Sequence, residues 1–445
     1  MKTWLTGWEP ENKEFWALQG EKIAWKTLTI TTISLILSFA TWFMVSAIVT
    51  RLDGIGFNFS SSQLFWLAAL PGLAAGTLRI IHTFLIPIFG TRHVITISTI
   101  IKLIPVLGFG FAVLDPNTPY WVFVVLALTA GFGGGDFSSY MPSTNLFFPA
   151  RLKGAALGIQ AGIGNFGVSL AQFMTPIMLG VGFYGAPQLF SKKNSAGEVV
   201  QSEIFLQSAS FWYAPLLIIV GILCWVMLKS IPIKSSFKEQ LGIFKDKHTW
   251  YCTVIYFMTF GTFAGLSAAF PLLLKSVYGP FDPGLDPLKY AFYGPLIGSA
   301  ARVAFGFVAD KTGGAILTTI SGIGLLVCTL AIIFLNLLEP TGIDQMDLFI
   351  TVMLLLFFFT GIGNASTFKQ FPVIFKHNPI HASGVIGWTA AIGAYGPFIF
   401  SLAISAFMGS SGNATGFFQI LAIFLVVATA INWFFYNRKG AERPC

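Results

Sequence analysis

Charge is what this sequence has least of. Only 10% of its 445 residues are Asp, Glu, Lys or Arg, against about a quarter in a soluble domain, which excludes an ordinary water-soluble enzyme. Cysteine is scarce too. Cys224, Cys252, Cys328 and Cys445 have no paired spacing, and the first three lie in or beside apolar runs, so no disulfide framework or metal site is expected. The five histidines form no i, i+4 ligand pair, and no cofactor is implied. The net charge is +8, but the basic residues are not massed on one polar segment, which argues against a nucleic-acid binder. Residues 1–23 mix Glu9, Glu11, Glu14 and Glu21 with Lys2, Lys13 and Lys22, unlike a signal peptide. Trp4, Trp8, Phe15 and Trp16 in that stretch suit a segment along the membrane surface or a partly ordered tail.

Apolar residues are abundant: 55% of the chain, with 47 Phe and 12 Trp. Runs long enough to span a bilayer, about 20 residues each, fall near 25–50, 62–88, 93–113, 119–147, 153–180 and 209–229. A second set falls near 249–277, 287–309, 314–337, 347–375, 382–408 and 414–436. The expectation is an all-α membrane protein with twelve transmembrane helices in two six-helix bundles, 24–229 and 249–437. A tail (1–23), a linker (230–248) and a second tail (438–445) complete it. Twelve spans place both termini on one side. Lys234, Lys238, Lys245 and Lys247 of the linker share that side with Arg92, Arg151, Lys153, Lys311, Lys376, Arg438, Lys439 and Arg443. Asp53, Asp115, Glu198, Asp282, Asp286, Glu339 and Asp344 fall on the other. The asymmetry puts the termini in the cytoplasm.

The two halves repeat. Arg79 stands eleven residues before Gly90, and Arg302 eleven before Gly313, an offset of 223. Gly131-Phe-Gly-Gly-Gly-Asp-Phe-Ser-Ser parallels Gly361-Ile-Gly-Asn-Ala-Ser-Thr, and Gly158, Gly164 and Gly167 parallel Gly387, Gly393 and Gly396 at an offset of 229. Parallel repeats around a midplane site are how two-bundle carriers are built.

Arg79 and Arg302 carry the chemistry. Eleven residues of helix place each about 16 Å from the turn, near the middle of a hydrocarbon core about 30 Å thick. A charge there faces a cavity or a partner, and snorkelling to the interface is a poor fit. Asp136 is the clear carboxylate at that depth, so two guanidiniums leave a positive surplus suited to a small flat oxyanion. Phe137, Ser138, Asn165, Tyr256, Phe260, Asn364 and Ser366 lie at similar depth. Gly162-Ile-Gly-Asn-Phe-Gly167 matches G-x-G-x-x-G by letters, but it lies in a spanning helix and follows no strand, so no nucleotide fold is read. Gly158, Gly162, Gly164, Gly167, Gly393 and Gly396 suit close helix packing that slides between two states. Asp310 reads as an acid beside Lys311 at a helix end, a gating position. Lys369 is within reach of the interface. Lys102 is deeper, with only snorkelling or a cavity to explain it.

These residues resemble the nitrate/nitrite porter family of the major facilitator superfamily, the NarK-like proteins. The resemblance begins at Gly7-Trp-Glu-Pro-Glu-Asn and Gly56-Phe-Asn-Phe. It is strongest from Gly131 through Phe147-Phe-Pro149 to Gly167, and from Gly361 to Gly396. It implies substrate arginines at Arg79 and Arg302, an aromatic pair at Phe137 and Phe260 around a flat anion, contacts from Tyr256 and Asn165, and a backbone contact at Gly387. Asp136 stands where the family usually has Asn; Asn364 and Ala390 stand where it has serines. The implied protein is a monomeric, multi-pass carrier of nitrate and nitrite in a bacterial inner membrane, in contact with lipid, working by alternating access.

Two couplings stay open. A monovalent anion against two arginines favours exchange, nitrate inward and nitrite outward. Asp136, protonated when nitrate binds, would instead give proton symport; its plainer role is a static salt bridge. A nitrate sensor or channel, or another small anion such as formate or chlorate, belongs to different readings.

Overall fold

The computed structural model describes residues 3–193, 198–232, 241–377 and 379–445; Lys2, Lys234 and Lys238 lie outside them. The spanning helices are α1 (Glu21–Ile48), α2 (Ser61–His82), α3 (Leu85–Ala112), α4 (Tyr120–Phe147), α5 (Ala150–Met178) and α6 (Ser208–Met227), then α7 (Lys247–Tyr278), α8 (Leu288–Thr312), α9 (Gly314–Phe334), α10 (Ile343–Ile374), α11 (Gly384–Ser411) and α12 (Thr415–Asn437). Eleven of these regions are long and apolar enough to cross a membrane. The remaining one, α5, has 29 residues. At about 1.5 Å per residue it is long enough, and Gln160, Asn165 and Gln172, which lower its hydropathy, are buried in protein.

The repeat is visible in the packing. Helix α1 lies on α5 and α2 on α4; in the second half α7 lies on α11 and α8 on α10. The halves meet along α2–α11 and α5–α8, which are images of each other under the repeat. Small residues set the approach: a side chain at Gly131 would strike Ala74 and the backbone of α2, and one at Gly361 would strike Gly298 and Ala301 of α8. Gly90 and Gly313, matched by the sequence offset, also share a backbone conformation, at φ 75°, ψ 160° and φ 90°, ψ 152°. That region is open to glycine and strained for other residues, so a sharp bend, inside the first part of α3 at Gly90 and between α8 and α9 at Gly313, is written into the sequence twice.

Two helices are broken near the middle. In α3 the break falls at Lys102, where Pro105 supplies no N–H and its ring crowds the carbonyl one turn back. In α4 it falls at Asp136, after the glycine run.

Two features depart from the sequence expectation. The chain is not wholly helical: Gln188–Lys193 (β1) pairs antiparallel with Val199–Ile204 (β2) between α5 and α6. The N-terminal segment packs on the protein itself. Trp8 stacks edge-on against Phe147 with centroids 5.3 Å apart, Trp16 is buried beside Phe148, and Glu11 accepts from the Ala150 amide at 2.7 Å.

One face carries both termini. There Leu5 N–H donates to Ser230 C=O at 2.8 Å, Arg443 pairs with Asp246 at 2.9 Å, and Ala315 N–H donates to Cys445 C=O at 3.2 Å. On the opposite face two ion pairs join the halves: Arg51–Asp286 at 2.5 Å and Lys275–Asp53 at 2.8 Å. Phe190 of the hairpin packs on Gly54 and lies 5.9 Å from the Arg51 guanidinium.

Candidate functional site

A column of aromatic rings crosses the interface between the halves. Phe137 faces Phe260 at 6.4 Å and 21°, Phe260 faces Tyr256 at 5.4 Å and 20°, and Tyr256 faces Phe368 at 5.7 Å and 3°. The widest gap is the first, and it alone has one ring from each half. Phe260 and its neighbours ride on a π-helical turn of α7, Phe257–Gly261, a local widening common at functional sites.

Each end of the column holds an arginine. The Arg79 guanidinium lies 4.6 Å from the Phe137 centroid, 5.2 Å from Phe260 and 5.4 Å from Trp42. Arg302 lies 4.7 Å from Phe368. Arg79 is wholly buried and Arg302 is 3% exposed. Stacking on ring faces offsets part of the desolvation cost of such a cation.

Both arginines also bond across the interface. Arg79 Nε donates to Gly134 C=O at 2.8 Å, and its Nη1 donates to Ala390 C=O of α11 at 2.6 Å. With its amide oxygen turned toward Arg302, Asn165 of α5 accepts from Arg302 Nη1 at 2.9 Å and donates to Ala161 C=O at 3.3 Å. The reverse orientation sets donor against donor.

What remains unsatisfied is informative. Arg79 Nη2, Arg302 Nη2, Tyr256 Oη and both amide atoms of Asn364 are buried without a protein partner. Native interiors leave few such atoms, and here two are guanidinium donors. A cavity of about 510 Å³ has Arg302, Asn364 and Phe368 in its lining and extends past Gly158 to Lys153, Asp310, Lys369 and Lys376 on the termini face. A donor-rich, acid-poor site at the end of a cavity fits a small anion.

Asp136 takes the plainer of its two expected roles, a static salt bridge. Lys102 Nζ donates to it at 2.6 Å and Ser38 Oγ at 2.9 Å, with both charged groups fully buried, and Asp136 is the carboxylate whose charge acts on Arg79. Lys102 also donates to Ser98 C=O at 2.6 Å. The pair accounts for Lys102, which is fully buried and does not line that cavity. It also leaves both arginines, among the described residues, without an ion-pair partner. Asp310, read beside Lys311, pairs instead with Lys369 at 2.7 Å, because one helical face turns it toward α10.

The sequence-read residues therefore divide. Arg79, Arg302, Phe137, Phe260, Tyr256 and Asn165 converge, and Asn364 borders Arg302 in the cavity. The carbonyl that meets Arg79 belongs to Ala390, one turn beyond Gly387; a side chain at Gly387 would meet only Thr83, at an ordinary 3.5 Å. Gly164 and Gly167 pack on α1, and Gly396 on Gly261, each within its own half. Gly162 faces Val303 across the interface, and Gly158 lines the cavity. Ser366 is taken up by Thr318 at 2.8 Å. Trp42 and Phe368 escaped the sequence reading, although each stands four residues from a polar residue of the core, Ser38 and Asn364, a spacing that puts them on one face.

The sequence matches the Major Facilitator Superfamily over residues 31–396. It is 53% identical to the "Probable nitrate/nitrite antiporter NarK2" of Thermus thermophilus, covering 100% of this chain and 98% of that protein. It is 35% identical to the "Nitrate/nitrite transporter NarU" of Escherichia coli K12, covering 98% and 96%. The chain belongs to the major facilitator superfamily, in its NarK-like branch. Among solved structures, the major facilitator fold of this chain matches a bacterial homolog of the human lysosomal transporter Spinster in two inward-facing forms. The unoccupied form has a TM-score of 0.65 at 16% identity, covering 92% and 96%; the occupied form has 0.61 at 17%, covering 91% and 95%. At that identity the likeness speaks for the fold of this NarK-like protein.

Proposed function

We propose that this chain exchanges nitrate for nitrite across a bacterial inner membrane by alternating access, as a monomer with both termini in the cytoplasm. The bundles span 24–229 and 249–437 about the linker 230–248. The observation that carries the reading is the pair of buried arginines with unspent Nη2 donors, Arg79 against the Phe137–Phe260 slot and Arg302 on Phe368 at the other end of the column. A flat trigonal anion stacked between two rings needs about 7 Å, two contact distances. The slot measures 6.4 Å, so the two halves separate slightly to admit the ion. Tyr256, Asn165 and Asn364 supply the remaining polar contacts, and the names of the relatives supply the substrate pair. The basic loops on the termini face support the cytoplasmic assignment. The cavity then opens inward, with the ion pairs Arg51–Asp286 and Lys275–Asp53 closing the outside.

Binding and rocking involve no covalent step. The empty site carries two uncompensated guanidiniums, and one bound anion halves that charge, so the loaded carrier reorients more readily than the empty one. Exchange follows. Liposomes loaded with nitrite should release it when nitrate is added outside, with or without a pH gradient. Release that depends on the gradient, or no release, would overturn the reading.

A further inference from the structure

The buried pair Lys102–Asp136 belongs to neither the aromatic column nor the cavity, yet it sits at two helix breaks against the site. Arg79 Nε bonds the carbonyl of Gly134, two residues from Asp136. Ser38 and Ser34 of α1, His82 of α2, Thr99 of α3, Tyr140 of α4 and Cys224 of α6 complete the surroundings. Asp136 Oδ1 has no partner, so the carboxylate has capacity beyond Lys102. Arg79 is the other cation whose charge acts on it.

We propose that Lys102 is the positioning residue that makes exchange obligatory: by engaging Asp136, it withholds from Arg79 the carboxylate that would otherwise neutralise the empty site. The proposal rests on the exchange reading above. Its basis is a charge count. Lys102 and Asp136 sum to zero whether the shared proton sits on nitrogen or oxygen, so Arg79 and Arg302 leave the empty site at two positive charges. Without the Lys102 ammonium the same groups sum to one. Asp136 then turns to Arg79, and the empty carrier carries the charge that the nitrate-loaded wild type carries. Such a carrier returns empty and leaks. Without the Asp136 carboxylate the sum is three, and the empty carrier is arrested more firmly. With both replaced by neutral groups the sum returns to two.

The test compares wild type, Lys102→Met, Asp136→Asn and the double variant in liposomes loaded with labelled nitrate. The readout is the ratio of efflux into anion-free medium to efflux into medium containing nitrite. A merely structural role lowers both rates and leaves the ratio alone. The ratio should rise at least tenfold in Lys102→Met, fall or stay level in Asp136→Asn, and return to the wild-type value in the double variant. An unchanged ratio in an active Lys102→Met protein overturns the proposal. So does a raised ratio in Asp136→Asn, which decides the matter even if Lys102→Met does not fold. A wild type that exchanges nothing refutes the functional reading instead.

Discussion

The outer ion pairs make a quantitative claim about the resting conformation. Arg51 and Asp286 come from different halves, with side chains 7% and 14% exposed. Asp286 Oδ1 also accepts from the Leu288 amide at 3.1 Å and caps the start of α8. Asn is as good a cap as Asp, so Asp286→Asn removes the charge and keeps the turn. Breaking a fully buried pair costs about 3–5 kcal/mol and an exposed one about 0–1. For this partly buried pair about 1.5–3 kcal/mol is appropriate; Lys192 of β1 also feels the Asp286 charge, and once that is gone it and Arg51 repel. Because the pair joins the halves on that face, the loss falls on the state closed there. At 1.4 kcal/mol per factor of ten, the population open on that face should rise about 10- to 100-fold. The assay is the labelling rate of Ser267→Cys by a membrane-impermeant maleimide applied to the face of the ion pairs. Ser267 is buried, and its carbonyl accepts from Gln172 of the other half at 2.8 Å. Cys224, Cys252 and Cys328 are buried and Cys445 lies on the termini face, so background labelling is low. An unchanged labelling rate in Asp286→Asn would refute the claim that this pair holds that face shut. Lys275→Gln, which removes the more exposed pair, should change the rate about fivefold or less.

Arg79→Lys should lower nitrite counterflow at least about a hundredfold while the protein still folds, because one ammonium cannot reproduce a fork anchored on Gly134 and Ala390; counterflow near wild type would remove Arg79 from the site. Gly313→Ala should destabilise by about 1–3 kcal/mol in thermal melts, since φ is 90° there. Gly409→Ala, in open space on a regular helix, should be neutral or stabilising by up to about 1 kcal/mol. On the termini face, burial pushes the Asp246 carboxyl up, but the His248 amide and the Arg443 guanidinium outweigh it and hold it below its usual 3.8. A lowered value in the folded protein means that this contribution is present above pH 3.8 and is lost as the pH falls through the lowered value. The melting-point gap between wild type and Arg443→Gln should therefore be full at neutral pH and shrink in acid.

The fold was legible because membrane spans advertise themselves through composition, and the repeat because it recurs in residues with special backbone duties. Gly90 and Gly313 show this best: an offset in letters became a shared, otherwise strained φ and ψ. The strand pair Gln188–Lys193 and Val199–Ile204 was not legible, because it is too exposed to require an apolar pattern; Ile204 is the one buried residue of its two strands among those described. The N-terminal segment was ambiguous for a related reason. Trp8 and Trp16 suit lipid and protein equally, and only the presence of Phe147 and Phe148 beside them decides which they meet.

Within the site, residue types could be read and partners could not. Depth singled out Arg79, Arg302, Asp136 and Lys102 as costly groups, and sequence separation gave no reason to join the last two. The information was nevertheless present. One unexplained base and one acid of uncertain role lay in adjacent spans at similar depth, and low dielectric makes such groups pair when they can. Joining them changes the meaning of the arginines. Each arginine then spends its Nη1 donor on the opposite half, Arg79 on Ala390 and Arg302 on Asn165, with no ion-pair partner among the described residues. Those bonds cross the surface along which the halves must slide, so rocking breaks them. On the proposed reading, an anion between the rings accepts from Arg79, and from Arg302 once the cross-links loosen. On that view the substrate has two duties in reorientation: it offsets charge, and it replaces the hydrogen bonds that the moving interface gives up.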